Sequence, residues 1–237
     1  MKQTEAVSID GVWMPATETH LVDMMTRNPK GMRYIDGKPT YQYKKLEFAV
    51  SQCKQRRVAI DIGGHVGLWS MWLVRMFEHV HAFEPVPFHR ELFRLNVDLS
   101  NCTLYECALG EDAGVINMEV PDETTGNAHV AIGKRHPGTR HVANPDKQRV
   151  WRDIPMVTLD NFALDRVDFI KIDVEGFERA VVQGGEQTIR RCRPVIVVEQ
   201  KGNESAYGDQ KDAAAKLLQS WGAKAVKVLA GDWVFVW

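Results

Sequence analysis

The sequence is short of several things whose absence narrows what it can be. Its four cysteines, Cys53, Cys102, Cys107 and Cys192, form no Cys-x-x-Cys pair and have no histidines at zinc-finger spacing, so neither a structural zinc site nor a disulfide scaffold is indicated. Free thiols in a reducing compartment are the expectation. There is little net charge. Thirty basic against 31 acidic side chains leave −1, too small for a global field drawing the chain to nucleic acid or an anionic membrane. No apolar stretch reaches the length of a membrane span, so no membrane partner is expected. The opening Met-Lys-Gln-Thr-Glu has no apolar run of the signal-peptide kind, and a cytoplasmic protein is expected. At 237 residues the chain can bury one sizeable core and hardly two.

What is present is alternation. Residues 1–40 are rich in breakers (Pro15, Pro29, Gly31, Gly37, Pro39), and a short helix is expected from Gln42 to Lys54. From Arg57 the character changes. Val58–Ile62 is an apolar run ending at Gly63-Gly64, as in a buried strand meeting a turn. Leu68–Phe77 is expected as a buried helix, Val80–Phe83 as a strand, Pro87–Leu99 as an amphipathic helix and Thr103–Ala108 as a third strand. The pattern resumes with strands at Val167–Val174 and Val195–Glu199, each followed by a helix, and closes with β segments at Lys224–Leu229 and Trp233–Trp237. Strand–helix alternation implies parallel strands with right-handed crossovers. The fold class expected is α/β: a doubly wound, mostly parallel, seven-stranded Rossmann-like sheet whose last strand runs antiparallel. Residues 57–237 form this domain and residues 1–56 a cap or substrate-side segment. The turn-rich stretch at about 110–155, with a strand only at Val115–Val120, reads as an irregular functional loop or lid.

Ligands of such sheets sit outside the carboxyl ends of the strands, where strand order reverses. The first strand ends Asp61-Ile62-Gly63-Gly64-His65-Val66-Gly67. Its glycines let a ligand approach the backbone, and a helix start at Gly67 would offer N–H groups to a carboxylate. His65 stands where a dinucleotide fingerprint has its second glycine, and no Gly-Lys-Ser/Thr follows, which disfavours a NAD site and a P-loop. Glu84, after the second strand, can accept hydrogen bonds from both hydroxyls of a ribose, and Pro85 offers a stiff, flat neighbour for a base. An amino-acid carboxylate at one turn and a ribose at the next describe S-adenosylmethionine.

These segments carry a resemblance. Asp61–Gly67, Phe83-Glu84-Pro85, Ala108-Leu109-Gly110, Thr158-Leu159-Asp160, Lys171-Ile172-Asp173-Val174-Glu175-Gly176 and Pro194–Glu199 follow one another as in the FkbM family of methyltransferases, which the chain resembles from about Arg57 to Lys201. The resemblance implies a Rossmann-like methyltransferase fold. It also implies that Asp61, Gly63, His65, Gly67, Glu84, Pro85 and Ala108 line S-adenosylmethionine, and that a hydroxyl oxygen is methylated. Small-molecule and sugar-like acceptors are the ones it suggests.

The acceptor must lose a proton in such a reaction. Asp173 and Glu199 end neighbouring strands of the pattern, and Glu175 lies in the turn beyond Asp173. Three close carboxylates could raise one another's pKa and give a proton acceptor, or could hold a divalent cation; as caps of the following helix, Asp173 and Glu175 would be structural instead. Asp173 is also a candidate for cofactor contact. His65 and His129 are lesser candidates for the base. Lys171, inside a buried strand, reads as edge-exposed or paired with Asp168. The cationic stretch Lys134, Arg135, Arg140, Lys147, Arg149 and Arg152, with the Lys44-Lys45 pair, leaves an RNA or DNA acceptor as the alternative, although Trp151 is the stretch's lone aromatic. A non-catalytic nucleotide-binding module of the same fold is the third reading.

Overall fold

A computed structural model describes residues 5–27, 33–131 and 148–237. The N-terminal segment holds a hairpin of β1 (Ala6–Ile9) and β2 (Val12–Pro15), helix α1 (Thr19–Arg27), a small hairpin of β3 (Tyr34–Ile35) and β4 (Lys38–Pro39), and helix α2 (Tyr43–Ser51). Alternation follows with β5 (Val58–Ile62), α3 (Ser70–Leu73), β6 (His79–Phe83), α4 (Pro87–Asn96) and β7 (Cys102–Tyr105). Then come β8 (Ala108–Leu109), β9 (Gly114–Pro121), β10 (His129–Val130) and β11 (Gln148–Val157). The chain closes with β12 (Phe169–Ile172), α5 (Glu178–Gly184), α6 (Glu186–Cys192), β13 (Val195–Glu199), α7 (Ala213–Ser220), β14 (Lys224–Leu229) and β15 (Asp232–Val236).

The main sheet has seven strands in the order β14-β15-β13-β12-β5-β6-β7. The five from β13 to β7 are parallel, while β15 pairs antiparallel with both β13 and β14. Strand order reverses between β5 and β12, which places a crevice at their carboxyl ends. Because side chains alternate along a strand, Ile60, Ile62, Ile170, Ile172, Ile196 and Val198 enter one core, whereas Ala59, Phe169, Val195 and Val197 enter the other. Each fully buried side chain of the larger kinds contributes about 1.5–3 kcal/mol. The same parity puts Asp61 and Lys171 on one face, and the register pairs them directly across β5 and β12. They are thus buried together.

Several segments depart from the sequence expectations. The breaker-rich N-terminus holds two hairpins and a helix, fixed by distant contacts: Asn96 receives the Trp13 N–H at 2.7 Å and donates to the Trp13 and Val66 carbonyls, each at 2.8 Å. The helix expected over Leu68–Phe77 is regular only at Ser70–Leu73; beyond it, Arg75 and Met76 bond three residues back, letting Trp69, Trp72 and Phe77 all reach the core. The third strand stops at Tyr105, and Ala108 belongs to a second sheet of order β10-β9-β11-β8. That sheet occupies the described part of the stretch expected to be irregular. Its long strand bends at a bulge between Trp151 and Ile154. Among the described residues no helix is long and apolar enough to cross a membrane.

Candidate functional site

Two cavities open at the carboxyl ends of β5 and β12. One, of about 540 Å³, is walled by Ile62, Pro85, Ala108, Leu109, Val174 and Phe177, with Glu84, His65 and His89 as polar members. The other, of about 760 Å³, is lined by charge: Glu18, Asp61, Lys171, Asp173, Glu175, Glu199 and Lys201, with Tyr41 and Trp69. Gly63, His65, Gly126 and Asp173 belong to both. The two therefore meet at the turn after β5.

That turn is built by sterics. Gly63 has φ +79°, and a Cβ there would lie 2.0 Å from the Asp173 carbonyl oxygen, so only glycine allows β5 and β12 to end this close together. Lys171 fastens the turn from within. Its Nζ donates to the Gly63 carbonyl at 2.7 Å and lies 3.2 Å from Asp61 Oδ1 and 4.0 Å from Asp173 Oδ2. Burial alone would lower its pKa, but Asp61, Asp173 and Glu199 outweigh burial and hold it raised. Asp168, the partner expected for Lys171, is taken by Arg57 at the opposite end of β12. Asp61 has no exposed surface, and its Oδ2 accepts from Ser70 Oγ at 2.7 Å. Gly67 lines neither cavity. It packs against Val97 and Phe93 and gives its N–H to the Gly64 carbonyl, so Leu68 and Trp69, rather than Gly67, face the charged cavity.

Glu84 is 4 % exposed. Its Oε2 accepts from the His65 N–H at 2.7 Å; its Oε1 accepts from the Val86 N–H at 2.8 Å and faces His89 Nδ1 at 3.3 Å. His65 adopts φ +48°, a left-handed conformation that costs about 1–3 kcal/mol outside glycine. Its ring contacts Thr125 Oγ1 at 3.0 Å, and Thr125 donates to Glu18 Oε2 at 2.9 Å. The Thr125 proton being spent on Glu18, His65 Nε2 is the protonated nitrogen. Burial, then His89 and Lys171, push the His65 pKa well below its usual value. His129 lies outside both cavities, 3.3 Å from Glu119.

Oxygens of Asp173, Glu175 and Glu199 lie within 4.8 Å of one another, close enough to share a hard cation. Glu175 has φ +54°, and its Oε2 accepts from Asn203 Nδ2 at 2.7 Å. Lys201 Nζ donates to Glu199 Oε1. Burial first, then the neighbouring Asp173, raise Glu175 to about 8 and Glu199 to about 9. Tyr41 is raised by burial and then by Asp173. Neither Asp173 nor Glu175 caps the next helix, because α5 starts only at Glu178. That residue holds the turn itself, accepting from the Gly176 N–H at 2.9 Å and the Val174 N–H at 3.2 Å.

The Thr158-Leu159-Asp160 motif is structural. Asp160 accepts from the N–H groups of Gln187 and Thr188 at 3.0 and 2.8 Å, at the start of α6. Lys45 is turned inward onto Asp232. Lys134, Arg135, Arg140 and Lys147 lie outside the described residues; Arg149 pairs with Asp122 at 3.0 Å, and Arg152 is exposed. Glu18, Leu21 and Tyr41, in the breaker-rich N-terminus, carry no motif and were invisible in the sequence. Lys201, two residues past Glu199 and so on its side of the chain, did leave a signal.

Comparison with known proteins completes the picture. Residues 61–225 match the family described as "Methyltransferase FkbM domain". "Methyltransferase 1" of Beauveria bassiana is 25% identical over 194 residues, covering 73% of this chain and 74% of that protein. "Methyltransferase sdnD" of Sordaria araneosa is 26% identical over 169 residues, 59% of this chain and 64% of that protein. The crystal structure of the methyltransferase FkbM from Methylobacillus flagellatus superposes with a TM-score of 0.52 at 16% identity; it covers 92% of this chain, which spans only 52% of that one.

Proposed function

The chain belongs to the FkbM methyltransferase family, and from that premise we propose that it methylates a hydroxyl oxygen of a small, uncharged or sugar-like acceptor. The observation that carries the reading is the junction of two unlike cavities at Asp173. The family implies S-adenosylmethionine, whose sulfonium makes its methyl group electrophilic. The residues fit that group. The glycine turn brings backbone within reach, apolar walls suit a base, and Glu84 Oε2, with one protein donor, keeps a lone pair for a ribose hydroxyl. Asp61 and Lys171 hold the turn rigid, so Gly63 and His65 are positioned before any ligand arrives. On this reading Ile62, Pro85 and Ala108 face the base, and residues 1–56 cap the acceptor through Glu18, His20, Leu21 and Tyr41.

Proton removal falls to the carboxylates. Asp173, at the junction, accepts the hydroxyl proton. Glu175 and Glu199 hold protons among the three near neutral pH, because full ionisation would place three negative charges within 4.8 Å. General-base help of this kind is worth about 10²–10⁴ in rate. Lys201 and Asn203 already partner Glu199 and Glu175, which favours proton transfer over a bound cation. The acidic lining disfavours a phosphate-bearing acceptor, and Lys45, spent on Asp232, offers such a ligand nothing.

Methyl-labelled S-adenosylmethionine, incubated with separate pools of neutral polyols, amino sugars, phosphosugars and RNA, tests the reading. Label is expected in the neutral pool and is expected to persist after exhaustive chelation. Transfer to RNA alone would replace the acceptor assignment. Loss on chelation with recovery in Mg²⁺ would hand the three carboxylates to a cation.

A further inference from the structure

We infer that His89 is a cofactor-binding residue, its Nε2 accepting a hydrogen bond from one ribose hydroxyl while Glu84 Oε2 accepts from the other. The inference rests on the reading above that S-adenosylmethionine occupies the apolar cavity.

It follows from counting lone pairs. A carboxylate offers about four acceptor positions. Glu84 Oε1 spends both of its own on protein, the Val86 N–H at 2.8 Å and His89 Nδ1 at 3.3 Å. Oε2 spends one on the His65 N–H at 2.7 Å. One position remains, and a ribose brings two hydroxyl donors. The expectation that Glu84 takes both hydroxyls therefore fails on the acceptor count.

The missing acceptor is close by. His89 is 1 % exposed and lines the same cavity as Glu84. Since Glu84 can only accept, the contact selects the Nδ1–H tautomer, in which Nε2 carries a bare lone pair. Nε2 is buried without any hydrogen-bond partner among the described residues. A buried acceptor left unmet destabilises the free protein, and a ligand hydroxyl relieves that. His65, the other imidazole in this cavity, gives Nε2–H to Thr125 and stacks edge-on against His89 at 4.4 Å between centroids. It thus fixes the plane of the His89 ring. The Glu84 contact orients His89 from the other side, so one carboxylate and one imidazole form a divided ribose clamp.

The probes are S-adenosylhomocysteine and its 2′-deoxy and 3′-deoxy analogues, with affinity measured by calorimetry. In the wild-type protein each deoxy analogue is expected to bind about tenfold more weakly than the parent. In His89→Phe the parent weakens by about the same factor, and one deoxy analogue, no longer penalised, binds as well as the parent while the other keeps its penalty. Both penalties persisting in His89→Phe would overturn the inference and leave the cofactor assignment standing. No binding of the parent by the wild type would instead overturn the cofactor assignment itself. Nitrogen-15 NMR of the wild-type histidine ring tests the same point without a substitution. The Nε2 resonance should shift with the parent and with one analogue only, and an unmoved resonance would refute the contact.

Discussion

The two ends of β12 carry an aspartate each, five residues apart, in opposite circumstances. At the amino end, Asp168 is saturated: the Arg57 N–H at 2.8 Å, Arg57 Nη2 at 2.7 Å, Arg57 Nε at 3.1 Å and the Val58 N–H at 3.3 Å all point at it. Burial works to raise its pKa, yet these donors outweigh burial and lower it. At the carboxyl end, Asp173 stands among Glu175 and Glu199, both pushed up by burial and by Asp173 itself. A single strand thus joins a carboxylate arranged to hold the fold together to a cluster of three acids in which Glu175 and Glu199 resist ionisation. The difference is in the supply of donors, since the chain turns back over Asp168 but opens into a cavity beside Asp173.

The largest effect expected is at the carboxyl end. Asp173→Asn should lower turnover by about 10²–10⁴ and leave the melting temperature nearly unchanged, whereas Asp168→Asn should do the reverse. An assay and a thermal melt on both variants check the exchange, and equal activity loss in the two would erase the contrast. Next comes pH. Glu175 gives up its proton at about 8, which adds a negative charge beside Asp173 and strengthens Asp173 as a proton acceptor. On that account kcat/KM should climb through that pH, and Glu175→Gln should abolish that limb. A profile flat from neutral to alkaline pH would count against carboxylate proton transfer.

Stability gives a smaller, opposite pair of effects. Asp168 has its folded pKa below its unfolded value, so its contribution is present above pH about 4 and disappears as pH falls through the lowered value. Asp168→Ala should cost about 2 kcal/mol near neutrality, or about 4–8 °C in melting temperature. Glu199 has its folded pKa raised to about 9. Its contribution is complete below the unfolded value and lost as pH rises towards 9, so Glu199→Gln should melt higher than wild type in alkaline buffer. Denaturation series at acid, neutral and alkaline pH would read both signs.

Much of this was legible in the sequence. The run Val58–Ile62 into Gly63-Gly64 announced a strand meeting a turn, and Glu84 and Asp173 followed their strands at the spacing a ligand crevice requires. Other parts were written in tertiary contacts. The strand Gln148–Val157 has weak local signals because it is held by pairing along β9 and, at its end, with Ala108 and Leu109. The structural role of Asp160 depends on α6, which begins 26 residues later. Lys171 read as edge-exposed or paired with Asp168 because its partner, Asp61, lies on another strand, and register rather than composition brings them together. Glu18 and Tyr41 reach the charged cavity from a segment whose course is set by Asn96 and Thr125, far away along the chain.

The proposed division of labour between an apolar cofactor cavity and a charged acceptor cavity is tested most directly by titrating S-adenosylmethionine into the wild-type protein and into Glu84→Gln by calorimetry. The expected result is one site per chain, weakened about tenfold or more by the substitution, as the loss of a charge-assisted acceptor worth about 1.5–3 kcal/mol requires. Equal affinity in the two proteins would contradict the account, because it would place the cofactor somewhere other than beside Glu84.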